Sequence, residues 1–145
     1  MTNWDKKFIE LSNLVATWSK DTNTKVGAVI VDKDNIIMSM GYNGFPRGCD
    51  DTIASRFERP DKYLFTEHAE RNAIYQAGRH GVSLIGSTIY VTMFPCADCT
   101  RAIIQCGISK IIAPEPDVTH ERWGTNFVAS LEMCDEAKVE VIYID

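Results

Sequence analysis

Apolar residues recur at helical spacing through WDKKFIELSNLVATW (residues 4–18), where Trp4, Phe8, Leu11, Val15 and Trp18 share one face. This spacing predicts an amphipathic helix packed on a core. The period then changes. KVGAVIVD (25–32) and NIIMSMGYN (35–43) are β-rich runs around the turn DKDN, which predicts an antiparallel hairpin. Residues 44–66 break the pattern with Gly44, Pro46, Gly48 and Pro60 and read as a long irregular excursion, a type of segment that often carries function.

From residue 68 onward helices and strands alternate. Helices are expected at 68–79, stopped near Gly78 or Gly81, at 96–107, ended by Gly107, and at 126–137. Between and after them lie strand patterns at 87–92, 108–113 and 138–144. Alternation of this kind implies a sheet with parallel members covered by helices, and the hairpin adds an antiparallel pair. The fold class expected is α/β, a three-layer α/β/α arrangement around a mixed sheet of about five strands. Its last two strands run parallel through a right-handed crossover.

The chain has 145 residues, 45% hydrophobic and 24% charged, the size and balance of one domain over residues 1–145. MTNWDKKFIE carries charges where a signal peptide would need an apolar stretch, and no apolar run is long enough to cross a bilayer. Five cysteines without a secretory context point to reduced thiols rather than a disulfide framework, hence to the cytoplasm, or a host's cytoplasm for a virus-encoded chain. The formal charge of -5 disfavours long nucleic acid as a partner, because neutralising phosphates drives that binding. A local basic pocket for one small phosphorylated ligand remains compatible with it.

Chemistry concentrates in FPCADCTRA (94–102), where Cys96 and Cys99 stand three residues apart behind a proline. A redox dithiol, half of a structural zinc knuckle and half of a catalytic metal site all begin this way. Upstream, TEHAERNA places His68 and Glu70 in the first turn of the expected helix, from which both can reach past the helix end toward one point. Two helix N-termini brought together would gather His68, Cys96 and Cys99 around a centre with one position open. That donor set suits a catalytic zinc ion, and the positive helix ends favour thiolates. Glu70 then stands as a proton shuttle for an attacking water rather than as a ligand. A redox pair would need neither His68 nor Glu70. A structural site closed by Cys106 or Cys134, both expected as buried helical thiols, would leave Glu70 idle.

HAE followed by PCADC matches the signature of zinc nucleobase deaminases. With SKDTNTKVGAVIV, GYNGFPRGCDD, HAERNAI and FPCADCTRAIIQCGI, the sequence resembles the cytidine and deoxycytidylate deaminase superfamily, and within it the deoxycytidylate (dCMP) deaminases. The resemblance implies hydrolysis of dCMP to dUMP and ammonia, in the supply of a dTMP precursor. His68, Cys96 and Cys99 would hold Zn2+, with Glu70 as the catalytic proton shuttle. The backbone around Ala69 and Pro95 would contact the pyrimidine edge, and Asn43 the sugar or phosphate side. It further implies a homo-oligomer, commonly a hexamer, and regulation by dCTP as activator and dTTP as inhibitor, with Mg2+ accompanying the triphosphate.

The glycines of GYNGFPRG leave backbone N–H groups open to a phosphate or sugar. Lys20, Gly44 and Arg47 are therefore expected at a substrate-phosphate or effector site. Cys49, in the same loop, is a lone thiol. Glu67 and Arg71 are spaced as a helical ion pair. Trp123 is expected in the core, and HERWG could also supply Arg122 or Trp123 to a pocket wall or subunit contact. Two other functions share part of this pattern. A tRNA adenosine deaminase carries the same metal motif but would want a basic surface. A zinc-stabilised nucleotide sensor would have no use for Glu70.

Overall fold

A computed structural model describes residues 1–145 and contains five α-helices and five strands. Helix α1 spans Asn3–Ala16. Thr2 caps it: the Asp5 N–H donates to the Thr2 hydroxyl at 3.0 Å and the Thr2 N–H to the Asp5 carboxylate at 2.8 Å. This reciprocal box satisfies two otherwise orphaned donors. Phe8 and Val15 are buried as the spacing predicts, whereas Trp4 and Trp18 are half exposed. The helix ends at Ala16, so Trp18 leaves the apolar face, and Trp4 stacks over Phe8 at the rim with ring centroids 5.6 Å apart.

Strands β1 (Gly27–Val31) and β2 (Ile37–Tyr42) form the expected hairpin. Strand β3 (Thr88–Val91) pairs antiparallel with β1, while β4 (Lys110–Pro114) and β5 (Glu140–Ile144) extend the sheet in parallel, giving the order β2-β1-β3-β4-β5. Alternate residues point to opposite faces of a strand, and the core divides accordingly. Val29, Val31, Tyr90 and Ile112 pack with Phe8 and Val15 of α1. Ala28, Ile30, Ile89, Val91, Ile111 and Ala113 pack on the other face. There they meet α3 (Ala69–Arg79), α4 (Ala97–Gln105) and α5 (Gly124–Ala137). The three-layer α/β/α fold is the one the alternation predicted.

Two local features fix the N-terminus of α3 and the chain that leads into it. β2 runs so close beneath α3 that a Cβ at Gly41 would collide with the Ala69 carbonyl and the Ala73 backbone nitrogen. This residue therefore sets the height of the α3 N-terminus over the sheet. The excursion 44–66 is more ordered than its composition suggests. It contains a 3-10 turn at Ala54–Phe57 and the short helix α2 (Lys62–Phe65), held by stacking of Phe45 on Phe57 (4.5 Å) and contact of Phe45 with Phe65 (5.9 Å). Paired backbone bonds between Gly44 and Glu67, at 3.1 and 2.8 Å, return the chain to its starting point beside α3.

Candidate active site

His68 and Cys96 are the N-cap residues of α3 and α4, one position outside the helices predicted to contain them. Cys99 lies on the first turn of α4, so the two sulfurs share a side. The His68 Nδ1 sits 3.5 Å from Cys96 Sγ and 3.4 Å from Cys99 Sγ, and the three donor atoms lie within 4.8 Å of one another. A tetrahedral zinc with Zn–S about 2.3 Å and Zn–N about 2.0 Å sets nitrogen and sulfur ligands roughly 3.5 Å apart. The cluster fits that ion in both donor chemistry and spacing.

The electrostatics agree. A hydrogen bond from Cys99, then one from His68, draws the Cys96 thiol down to about 4 against the opposing effect of burial. The same bond to Cys96, together with burial, pushes the Cys99 thiol up. A second negative charge in so small a space calls for a cation between the sulfurs. His68 is raised chiefly by its bond to Cys96. Glu70, in the first turn of α3, is 4% exposed, and burial raises its carboxyl above the ordinary range.

Arg71 ties the two ligand-bearing helices together. Its Nε donates to Glu67 at 2.6 Å, the predicted pair, and its Nη1 lies 3.6 Å from Asp98 at the start of α4. From behind, α5 steadies the same helix: Asn126 accepts the Ala97 N–H at 3.2 Å, and the Ser130 hydroxyl donates to the Pro95 carbonyl at 3.0 Å.

The cluster opens into a cavity of about 360 Å3 whose wall includes His68, Ala69, Glu70 and Cys96. Of the other expected site residues, Asn43 reaches this wall, but its side chain also organises the loop before β1. It accepts the Val26 N–H and donates to the Thr24 carbonyl, both at 2.8 Å. Pro95 is fully buried behind the wall, with its carbonyl engaged by Ser130 and Thr100. Lys20 is exposed, paired with Asp51 at 2.7 Å, and is not part of the cavity wall. Gly44 and Arg47 line a separate hollow of about 700 Å3 beside α3, together with Arg79 and His80. Cys49 is exposed and belongs to no cluster of metal-binding side chains. Cys134 is buried as expected, while Cys106 is the half-buried C-cap of α4 and binds the Ile103 carbonyl.

Several wall residues were not expected from the sequence. Arg59, Lys62, Tyr63 and Thr66 come from the far end of the excursion, and His120 joins Arg122 and Trp123 from the loop before α5. Arg59, His120 and Arg122 form no ion pair with a carboxylate. Lys62 is buried against Asp21 at 3.0 Å. Trp123 serves both readings given to it, packing on the core and lining the cavity. The charge run RFERPDK was the available signal, but nothing local says which way its side chains turn.

Imidazole, two thiols and a buried carboxylate at the floor of a cavity make a hydrolytic metal centre. A family model described as the cytidine and deoxycytidylate deaminase zinc-binding region matches residues 2–114, and the chain belongs to that family. It is 46% identical over 145 residues to an uncharacterized deaminase of Aliivibrio fischeri, covering 99% of this chain and 95% of that one. It is 39% identical over 114 residues to the human deoxycytidylate deaminase, covering 75% of this chain and 63% of that longer enzyme. Among solved structures, the dCMP deaminase of cyanophage S-TIM5 in complex with dCMP and dUMP superposes with a TM-score of 0.79 at 26% identity, over 99% of both chains. No helix of this protein is long and apolar enough to cross a membrane.

Proposed function

We propose that this protein hydrolyses dCMP to dUMP and ammonia. The observation that carries the reading is the His68–Cys96–Cys99 triangle beside buried Glu70, at one end of a cavity that also holds unpaired cationic side chains. Zinc held by the triangle supplies a Lewis acid that makes water nucleophilic at neutral pH. Glu70 takes a proton from the attacking water as the oxygen–C4 bond forms. It then delivers that proton toward the exocyclic amino group, so that the C4–N bond breaks and ammonia leaves. Burial suits this role, because a carboxyl raised toward the working pH takes a proton from water more readily than an ordinary one and still gives it up to the more basic amino nitrogen. Ala69, at the α3 N-terminus, lies where its backbone meets the pyrimidine edge, and Asn43 where it meets the sugar.

Arg59 and Arg122 provide the charge for a 5′-phosphate, and His120 a hydrogen-bonding edge beside them. His120 accepts the Arg122 and Trp123 amides on Nδ1 at 3.1 Å, which leaves Nε2 without a protein partner. The second hollow, with Gly44, Arg47 and Arg79 in its wall, supports the placement of dCTP and dTTP as effectors there, with Mg2+ on the triphosphate. Action of residues 1–145 as one domain within a cytoplasmic homohexamer completes the reading.

The test is ammonia release from zinc-loaded protein offered dCMP, CMP, deoxycytidine, dCTP and an adenosine-containing tRNA stem-loop, before and after chelation. Turnover confined to dCMP and abolished by chelation is expected. Turnover on the RNA alone would keep the zinc chemistry and overturn the substrate.

A further inference from the structure

Cys96 is the N-cap residue of α4, yet its side chain makes no capping hydrogen bond, and its sulfur lies 3.5 Å from His68 Nδ1 instead. The first N–H groups of a helix have no partner within it. Ala97 carries one of them, and Asn126 of α5 accepts it on Oδ1 at 3.2 Å. On the other side of the cysteine, Pro95 has no N–H, so its carbonyl is its one main-chain hydrogen-bonding group. The Ser130 hydroxyl donates to that carbonyl at 3.0 Å, and the Thr100 hydroxyl stands further off at 3.5 Å. Asn126 and Ser130 are one helical turn apart and share a face of α5. The residues they hold come immediately before and after Cys96 in the chain.

Neither bond serves the helix that supplies it. Asparagine and serine are weak helix formers, and a serine inside a helix commonly bonds a carbonyl of its own preceding turn. Ser130 is fully buried and bonds instead to Pro95, 35 residues away in sequence. Burying its hydroxyl costs stability unless such a bond is made. α5 also begins after residue 114, where the matched zinc-binding region ends. We propose that Asn126 and Ser130 are positioning residues of the metal centre: holding the chain on both sides of Cys96, they fix its thiol toward Cys99 and His68 and so set how tightly the site retains zinc. The proposal rests on the reading of the cluster as a zinc site. Neither residue lines the cavity, so both act through Cys96. A ligand fixed before the metal arrives has less order to gain when it binds, which is how partners behind metal ligands raise affinity.

The experiment compares the parent with Asn126→Leu, Asn126→Asp, Ser130→Ala and Cys134→Ala. Zinc affinity is measured by chelator competition, the absorption bands of the Co2+-loaded proteins report ligand geometry, and thermal midpoints of the zinc-loaded proteins report stability. Asn126→Leu and Ser130→Ala should each bind zinc about tenfold more weakly, the lower end of what partners behind metal ligands contribute, and should shift the cobalt bands. Asn126→Asp keeps an oxygen acceptor and should stay within a few-fold of the parent. Cys134 is buried further along the same helix, so Cys134→Ala should lower the thermal midpoint and leave zinc affinity and the cobalt bands unchanged. An unchanged zinc affinity in Asn126→Leu or in Ser130→Ala overturns the role of that residue. An equal loss in Cys134→Ala overturns the proposal, because affinity would then follow the stability of α5, and an equal loss in Asn126→Asp overturns the role of the Asn126 bond. Should Asn126→Leu not fold, Ser130→Ala, which removes a single oxygen, decides by the same readings. A parent that takes up no stoichiometric zinc would instead overturn the metal reading beneath the proposal.

Discussion

Arg71 Nη1 on α3 lies 3.6 Å from Asp98 Oδ2 on α4, joining the two helices whose N-termini carry His68, Cys96 and Cys99. Burial opposes the Arg71 charge, but the negative groups around it, the thiol cluster and Glu67, outweigh that and raise the guanidinium. Arg71→Gln should therefore weaken zinc binding by about tenfold, the lower end of what partners behind metal ligands contribute. Chelator competition measures it. An unchanged zinc affinity would reduce Arg71 to a surface ion pair.

Glu70 has a different kind of dependence. It lies beside the donor cluster without belonging to it. Glu70→Gln should keep stoichiometric zinc and lose about 10²–10⁴-fold in kcat, as removal of a general acid–base group does. Metal analysis and kcat on the same preparation separate the roles. Zinc loss would make Glu70 a ligand, and retained turnover would remove it from proton transfer.

The phosphate reading predicts a split between substrates. Arg122→Ala and Arg59→Ala should each raise KM for dCMP while changing the slow turnover of deoxycytidine little. Added salt should weaken dCMP binding to the parent more than to either variant, because charge pairing at an open mouth is screened. Equal effects on nucleotide and nucleoside would place these arginines in structural roles.

Asp21 and Lys62 form a buried pair, 3.0 Å apart, below the cationic wall. Burial alone would raise the Asp21 carboxyl, but the Thr24 and Asn23 N–H groups and the Lys62 ammonium outweigh it, leaving it lower than usual. A carboxyl lowered by folding contributes stability above its unfolded value near 4, and that contribution fades as pH falls through the folded value. Asp21→Asn, which leaves an ammonium buried and unpaired, should cost about 3–5 kcal/mol at neutral pH. Urea midpoints of parent and variant should converge below pH 4. A gap that stays constant to pH 3 would mean that the carboxylate charge is not what the fold uses.

The metal cluster was legible because its signals are short-range. HAE and PCADC each announce a helix N-terminus, and soft donors at those positions have few other uses. The hairpin and the parallel strands were legible for a related reason: hydrophobic period follows directly from which face is buried. Trp18 escaped that logic, since the α1 helix stops at Ala16 and the periodic face no longer extends to it. Lys20 and Arg47 were expected at a substrate-phosphate or effector site by residue type, but only the folded chain pairs Lys20 with Asp51 and sets Arg47 in the wall of the second hollow.

The α/β order, the gathering of His68, Cys96 and Cys99 and the carboxylate beside them can be read along the chain, because helical caps and strand period act over a few residues. The tertiary structure decided the rest of the cavity. Arg59, Lys62 and Thr66 reach it only because Phe45, Phe57 and Phe65 fold the excursion back beside α3, and His120 and Arg122 arrive from the loop before α5. Charged side chains carry no local sign of the cavity they will face. Their direction is set by packing between segments that lie tens of residues apart.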